Sequence, residues 1–187
     1  LSKKKITNSE ELPGALLQVV DKDGNVVEEW ISTDKPHEIV AKLVVDESYV
    51  LREVRPADGW AYAEDVPFKV SHDGTVDYVK MEDKPTHVVI SKQEITGSKE
   101  LPGCTLQVID KNGNVVDEWV STDQPHEIKE KLIADEEYTL REVRPADGWA
   151  YAEDIPFKVS HDGTVDQVKM EDKPTHVVVS KKKITGK

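Results

Sequence analysis

The chain has 187 residues, with 25 basic and 37 acidic side chains and a formal net charge of −12. That balance repels nucleic acid and anionic membrane surfaces, so neither is expected as a partner. No apolar run approaches the ~20 residues of a membrane span, no signal peptide opens the chain, and an opening "LSKKKIT" without methionine is expected of a piece of a longer protein.

Self-similarity sets the organisation. "LSKKKIT" at 1, "ISKQEIT" at 90 and "VSKKKIT" at 179 recur every 89 residues, and 69 of the 89 positions in 1–89 are identical in 90–178. Two domains are expected, 1–89 and 90–178, with 179–187 as the first strand of a truncated third repeat or a tail. Differences such as Val40/Lys129, Ala41/Glu130, Ser48/Glu137 and Tyr78/Gln167 mark surface positions. The single cysteine, Cys104, faces Ala15 in the other copy and reads as a small buried position without a partner, so disulfides do not hold the protein together.

In chain order each copy reads as short strands between turns. An opening strand through Lys3 leads to "LLQVV", and "DKDGN" (21–25) is a hairpin turn into "NVVEEWI". "HEIVAKLVV" (37–45) has room for a turn of helix. "YVLREV", "VPFKV", the turn "SHDGT" (71–75) and "TVDYVKM" follow, with prolines at 13, 36, 56, 67 and 85 as punctuation. The economical architecture is an all-β sandwich of about seven strands per copy. A domain this small buries a limited core and needs a staple that is neither disulfide nor metal.

Strand alternation singles out three charges. In "YVLREV" Tyr49, Leu51 and Glu53 share one face, and the second copy changes only the other face, Val50 to Thr139. In "TVDYVKMED" Val79 and Met81 share a face with Asp83. In "HVVISKQEI" Val88 and Ile90 lead to Lys92, as Leu1 leads to Lys3. Each copy therefore sends inward a lysine (Lys3, Lys92), a glutamate (Glu53, Glu142) and an aspartate (Asp83, Asp172). Such residues are almost never fully buried unless paired. Three readings stand: a buried ion network, which adds little net stability; strand ends that reach water; or a covalent bond. Burial favours the neutral forms of amine and acid, packing supplies effective molarity, and a neighbouring carboxyl shuttles protons. Under the third reading the inward glutamate is a catalyst used once.

The markers "SKKKITNSEELPGALLQV", "YVLREVRPADGW" and "VKMEDKPT", with their second copies, resemble the collagen-adhesin B-type (CnaB-like) domains of Gram-positive surface adhesins and pilins. The resemblance covers both copies. It implies two tandem prealbumin-like (inverse Ig-like) β-sandwiches, each with an autocatalytic internal Lys–Asp isopeptide bond. Lys3 and Lys92 are then nucleophiles, Asp83 and Asp172 acceptors, and Glu53 and Glu142 catalysts. Two departures stand out: Pro56 precedes Ala57, with Trp60 in place of the family's tyrosine, and the acceptor is Asp rather than the commoner Asn, so that water leaves instead of ammonia.

A bond from residue 3 to 83 closes nearly the whole domain, and the short Pro85-containing bridge to Lys92 limits freedom between copies. The expected role is an elongated stalk or spacer of a bacterial cell-surface adhesin. Such a chain is extracellular and monomeric, wall-anchored through another region, in contact with neighbouring repeats, and any host ligand is bound elsewhere in the parent. The alternative is a ligand-binding module using Trp30/Trp119 and Trp60/Trp149 for a glycan or matrix protein. A conventional glycosidase built on Glu53 and Asp83 lacks a cleft and positioning arginines. No cofactor or metal is expected. His37, His72 and His87 recur at 126, 161 and 176 without metal-ligand spacing and read as solvated turn residues. "DKDGN" lacks the sixth-position glycine and closing glutamate of a calcium loop. Lys181 has no acceptor and is expected to be unreacted.

Overall fold

The computed structural model describes residues 1–182. The first repeat contains β1 (Ser2–Lys5), β2 (Leu16–Val20), β3 (Val26–Ile31), β4 (Ser48–Arg55), β5 (Val66–Lys69) and β6 (Lys80–Asp83). The second contains β7 (His87–Glu94), β8 (Thr105–Asp110), β9 (Val115–Val120), β10 (His126–Lys129), β11 (Glu137–Arg144), β12 (Ile155–Lys158) and β13 (Asp166–Asp172). Each repeat is all-β and has two sheets. The first pairs β1 with β6 and orders the other sheet β3-β2-β4-β5; the second has β10-β7-β13 and β12-β11-β8-β9. Residues 179–182 are exposed and outside any strand, and 183–187 lie outside the described residues.

Local chemistry explains the hairpins. Asp21 Oδ1 accepts the N–H groups of Asp23 (2.9 Å) and Asn25 (2.8 Å), and Gly24 takes φ 84° in the turn joining β2 to β3. Asp110 does the same for Asn112 and Asn114 between β8 and β9. The segment 37–45 forms no helix. Ala41 has φ 58°, which interrupts a right-handed turn, and the Val44 N–H donates to the Tyr49 hydroxyl at 3.0 Å. In the second copy the equivalent residues supply β10, an extra strand beside β7.

The first repeat's core is Ala15, Leu17, Val19, Tyr49, Leu51, Val79 and Met81, drawn from both sheets. Register decides which side chains meet there. Leu17 lies opposite Glu53 and Val19 opposite Leu51 in the antiparallel β2–β4 pair. In the parallel β1–β6 pair Lys3 lies opposite Met81. One polar residue supports the rim in each copy. The buried Ser121 hydroxyl accepts the Cys104 N–H at 2.9 Å and donates to the Leu101 carbonyl at 2.6 Å, as Ser32 does for Ala15 and Leu12.

Ser121→Ala leaves that buried N–H and that carbonyl without partners. It should cost about 1–3 kcal/mol, read as a lower urea midpoint at unchanged slope.

Candidate functional site: a buried lysine between two carboxyls

Alternation along β4 buries Tyr49, Leu51 and Glu53 and exposes Arg52 and Val54; β11 repeats this with Tyr138, Leu140 and Glu142. β6 buries Met81 and Asp83, β13 buries Met170 and Asp172, and β1 and β7 bury Lys3 and Lys92. The exposures are 2% for Lys3, 7% for Glu53 and 0% for Asp83, against 2%, 6% and 1% for Lys92, Glu142 and Asp172.

The two sheets close these residues on one another. Lys3 Nζ donates to Asp83 Oδ1 and lies 2.8 Å from Glu53 Oε1. Lys92 Nζ donates to Asp172 Oδ1 and lies 2.8 Å from Glu142 Oε1. The lysine and aspartate come from the β1–β6 sheet (β7 and β13 in the second copy), and the glutamate comes from the sheet opposite. Each glutamate is held from behind: Glu53 Oε2 accepts the Ala63 N–H at 2.8 Å, and Glu142 Oε2 the Ala152 N–H at 2.9 Å. The backbone of each lysine is fixed too. The N–H of Lys3 donates to Glu11 Oε2 at 3.1 Å, and that of Lys92 to Glu100 Oε2 at 2.9 Å. Sequence reasoning missed Glu11 and Glu100. Their only trace was the recurring "ELPG", which carries no parity signal.

Burial pushes the Asp83 carboxyl up to about 7; the Lys3 ammonium pulls it down, and the charge of Glu53 adds to the rise. Asp172 is raised for the same leading reason, with Lys92 opposing and Glu142 reinforcing. A lysine nitrogen and a carboxyl with raised affinity for its proton are thus in contact in a buried interior, with a second carboxyl on the same nitrogen. Chemically this arrangement can condense the two into an amide.

Cys104 is buried and forms no disulfide, in agreement with its sequence reading, and its Sγ lies 3.8 Å from Asp172 Oδ2. Cys104, Glu142 and Asp172 present ligand-type atoms within 4.8 Å of one another, and Lys92 Nζ already contacts both carboxyls. Two histidines depart from the solvated reading, whereas His72, His161 and His176 are exposed. His37 stacks on Trp30 at 4.3 Å and faces Glu28, while His126 stacks on Trp119 at 4.1 Å and faces Asp117. Those indoles carry a ring on one face already. Trp60 is buried with Leu12 and Ala57.

The sequence model of the SpaA prealbumin-like fold domain matches residues 1–85 and again 86–174. The chain belongs to this family. Its two prealbumin-like domains are similar in structure to the Bacillus anthracis TIE protein, at 17% identity and a TM-score of 0.50, over 92% of this chain and 33% of that one. They also align with shaft pilin SpaA from Lactobacillus rhamnosus GG (12% identity, 92% and 89% of the two chains, TM-score 0.44). A third alignment is with a C-terminal fragment of pilus adhesin SpaC from the same organism (14%, 96% and 97%, TM-score 0.47). The chain spans about a third of the TIE protein's length. No curated protein sequence matches it. Among the described residues, no helix is long and apolar enough to cross a membrane.

The raised Asp83 carboxyl has a pH signature in a chain that has no amine at position 3. The folded state binds its proton more tightly than the unfolded chain, whose value is near 3.8. The stabilisation is therefore complete below that pH and is lost as pH rises through about 7. Lys3→Met also removes the ammonium that pulls Asp83 down, so its window extends upward. Urea midpoints of Lys3→Met should fall from pH 4 to pH 8, whereas a flat profile would show that Asp83 keeps an ordinary affinity.

Proposed function

We propose that each domain joins its first and last strands by an autocatalytic Lys–Asp isopeptide bond, and that the pair serves as stalk or spacer repeats of a Gram-positive cell-surface adhesin. The observation that carries this reading is the contact of Lys3 Nζ with Asp83 Oδ1, with Glu53 Oε1 at 2.8 Å, all within the apolar interior and duplicated in the second copy. The lysine nitrogen attacks the Asp Cγ. One N–C bond forms, one C–O bond breaks, and the proton released from nitrogen travels through the glutamate to the departing oxygen, which leaves as water. Each site turns over once, so the protein is not an enzyme in the ordinary sense.

Chain order sets the path of mechanical load. Tension entering near residue 3 leaves near residue 83, so a covalent link between them carries the load and residues 4–82 are bypassed. Such a loop is worth roughly 4–5 kcal/mol by the entropy estimate used for disulfides, comparable with the whole stability of a small domain. Repetition of the same device suits a spacer. In this reading the chain is an extracellular monomer, wall-anchored elsewhere in its parent, and any host ligand is bound by another part.

Intact mass spectrometry tests the bond. The mass should be lower than the sequence mass by two waters, and Glu142→Ala should restore one of them beyond the change due to the substitution. A full sequence mass in the parent chain would exclude the bond.

A further inference from the structure

The two triads differ in one first neighbour. In the second repeat Cys104 Sγ lies 3.8 Å from Asp172 Oδ2, both atoms buried. In the first repeat the equivalent residue is Ala15, also fully buried, and Asp83 Oδ2 has no hydrogen-bond partner among the described residues. The remaining contacts match: lysine to Oδ1, lysine to glutamate, glutamate to a backbone N–H. Burial raises the Cys104 thiol, so sulfur keeps its proton as a donor. The Cys104 backbone is fixed by the Ser121 hydroxyl at 2.9 Å, which aims the side chain at the acid. The chain thus contains its own control, two near-identical sites with and without a thiol on the acceptor.

We infer that Cys104 is a positioning residue for the second site, its S–H holding and polarising Asp172 Oδ2 so that this repeat closes its bond faster than the first. The inference rests on the isopeptide reading above. Attack of the Lys92 nitrogen on Cγ moves an electron pair onto Oδ2, and the S–H donates to that developing oxyanion. The intermediate collapses with Oδ2 becoming the amide carbonyl oxygen. Oδ1, on the lysine side, carries the carboxyl proton, takes the proton lost by Lys92 Nζ through Glu142, and leaves as water. The thiol is unchanged at the end and still donates, now to the amide oxygen. In the first repeat no group takes that part.

A thiol is a weak donor, so the expected lead is about threefold in rate, equivalent to roughly 0.7 kcal/mol. The test is a time course of the full chain made by cell-free synthesis, quenched in denaturing acid and digested. Mass spectrometry then quantifies the Lys3–Asp83 and Lys92–Asp172 cross-linked peptides separately, so each repeat times the other. The second peptide should appear first. Cys104→Ala, which installs the residue that already packs in the first repeat, should abolish the lead. Cys104→Ser should keep it, and Ala15→Cys should give the first repeat the same advantage. Both cross-links forming at equal rates in all four chains would overturn the role of Cys104 while leaving the bonds intact. Absence of both peptides at all times would overturn the isopeptide reading, and this inference with it.

Discussion

Everything in each domain is arranged around a lysine buried between two carboxyls where the two sheets meet. Removing three ionisable groups from water is expensive, and an attraction between them rarely does better than break even against well-packed apolar side chains. The cost is met here by close pairing and by backbone donors: the glutamate's second oxygen takes an amide N–H, and the lysine's own N–H is held by another acid. An interior built for stability alone has no need of such a group. The proposed isopeptide reaction does, because burial raises the aspartate's hold on its proton and packing sets the lysine nitrogen against it.

The strand order places this group where a link has the greatest reach. β1 and β6 are the first and last strands of their repeat and are parallel neighbours, so Lys3 and Asp83 are distant in sequence but adjacent in space. Parallel pairing of chain ends is expensive in loop entropy before contacts reward it. The glutamate comes from the opposite sheet, so the group cannot assemble until both sheets have packed. Contact among the three side chains therefore depends on the packing of both sheets.

Duplication followed by drift has left informative differences inside the matching frame. Half of the substitutions fall on positions exposed in both copies, as at Val40/Lys129 and Tyr78/Gln167. Ala15/Cys104 is different, since both are fully buried and Cys104 Sγ lies 3.8 Å from Asp172 Oδ2. The segment after Pro36 also differs: in the second copy His126–Lys129 adds a strand to the sheet that carries Lys92. The two domains are therefore one design with two local environments.

The sequence by itself determined the repeat, the all-β character and the inward face of each key strand, because a period of two is a local property and each charge continues an apolar row. Leu51 predicts the side of Glu53, and Met81 that of Asp83, without knowledge of any partner. It did not reveal that 37–45 would avoid helix, since Ala41 and Glu130 take positive φ, which the propensities of those residues do not encode. It could not place Glu11 and Glu100 behind the lysines, Ser32 and Ser121 at the rim, or Cys104 on Asp172. Those contacts join segments up to 68 residues apart, and which of many acids or hydroxyls meets a given atom is fixed only when two sheets settle into register. Parity tells which way a side chain points; tertiary packing alone decides what it touches.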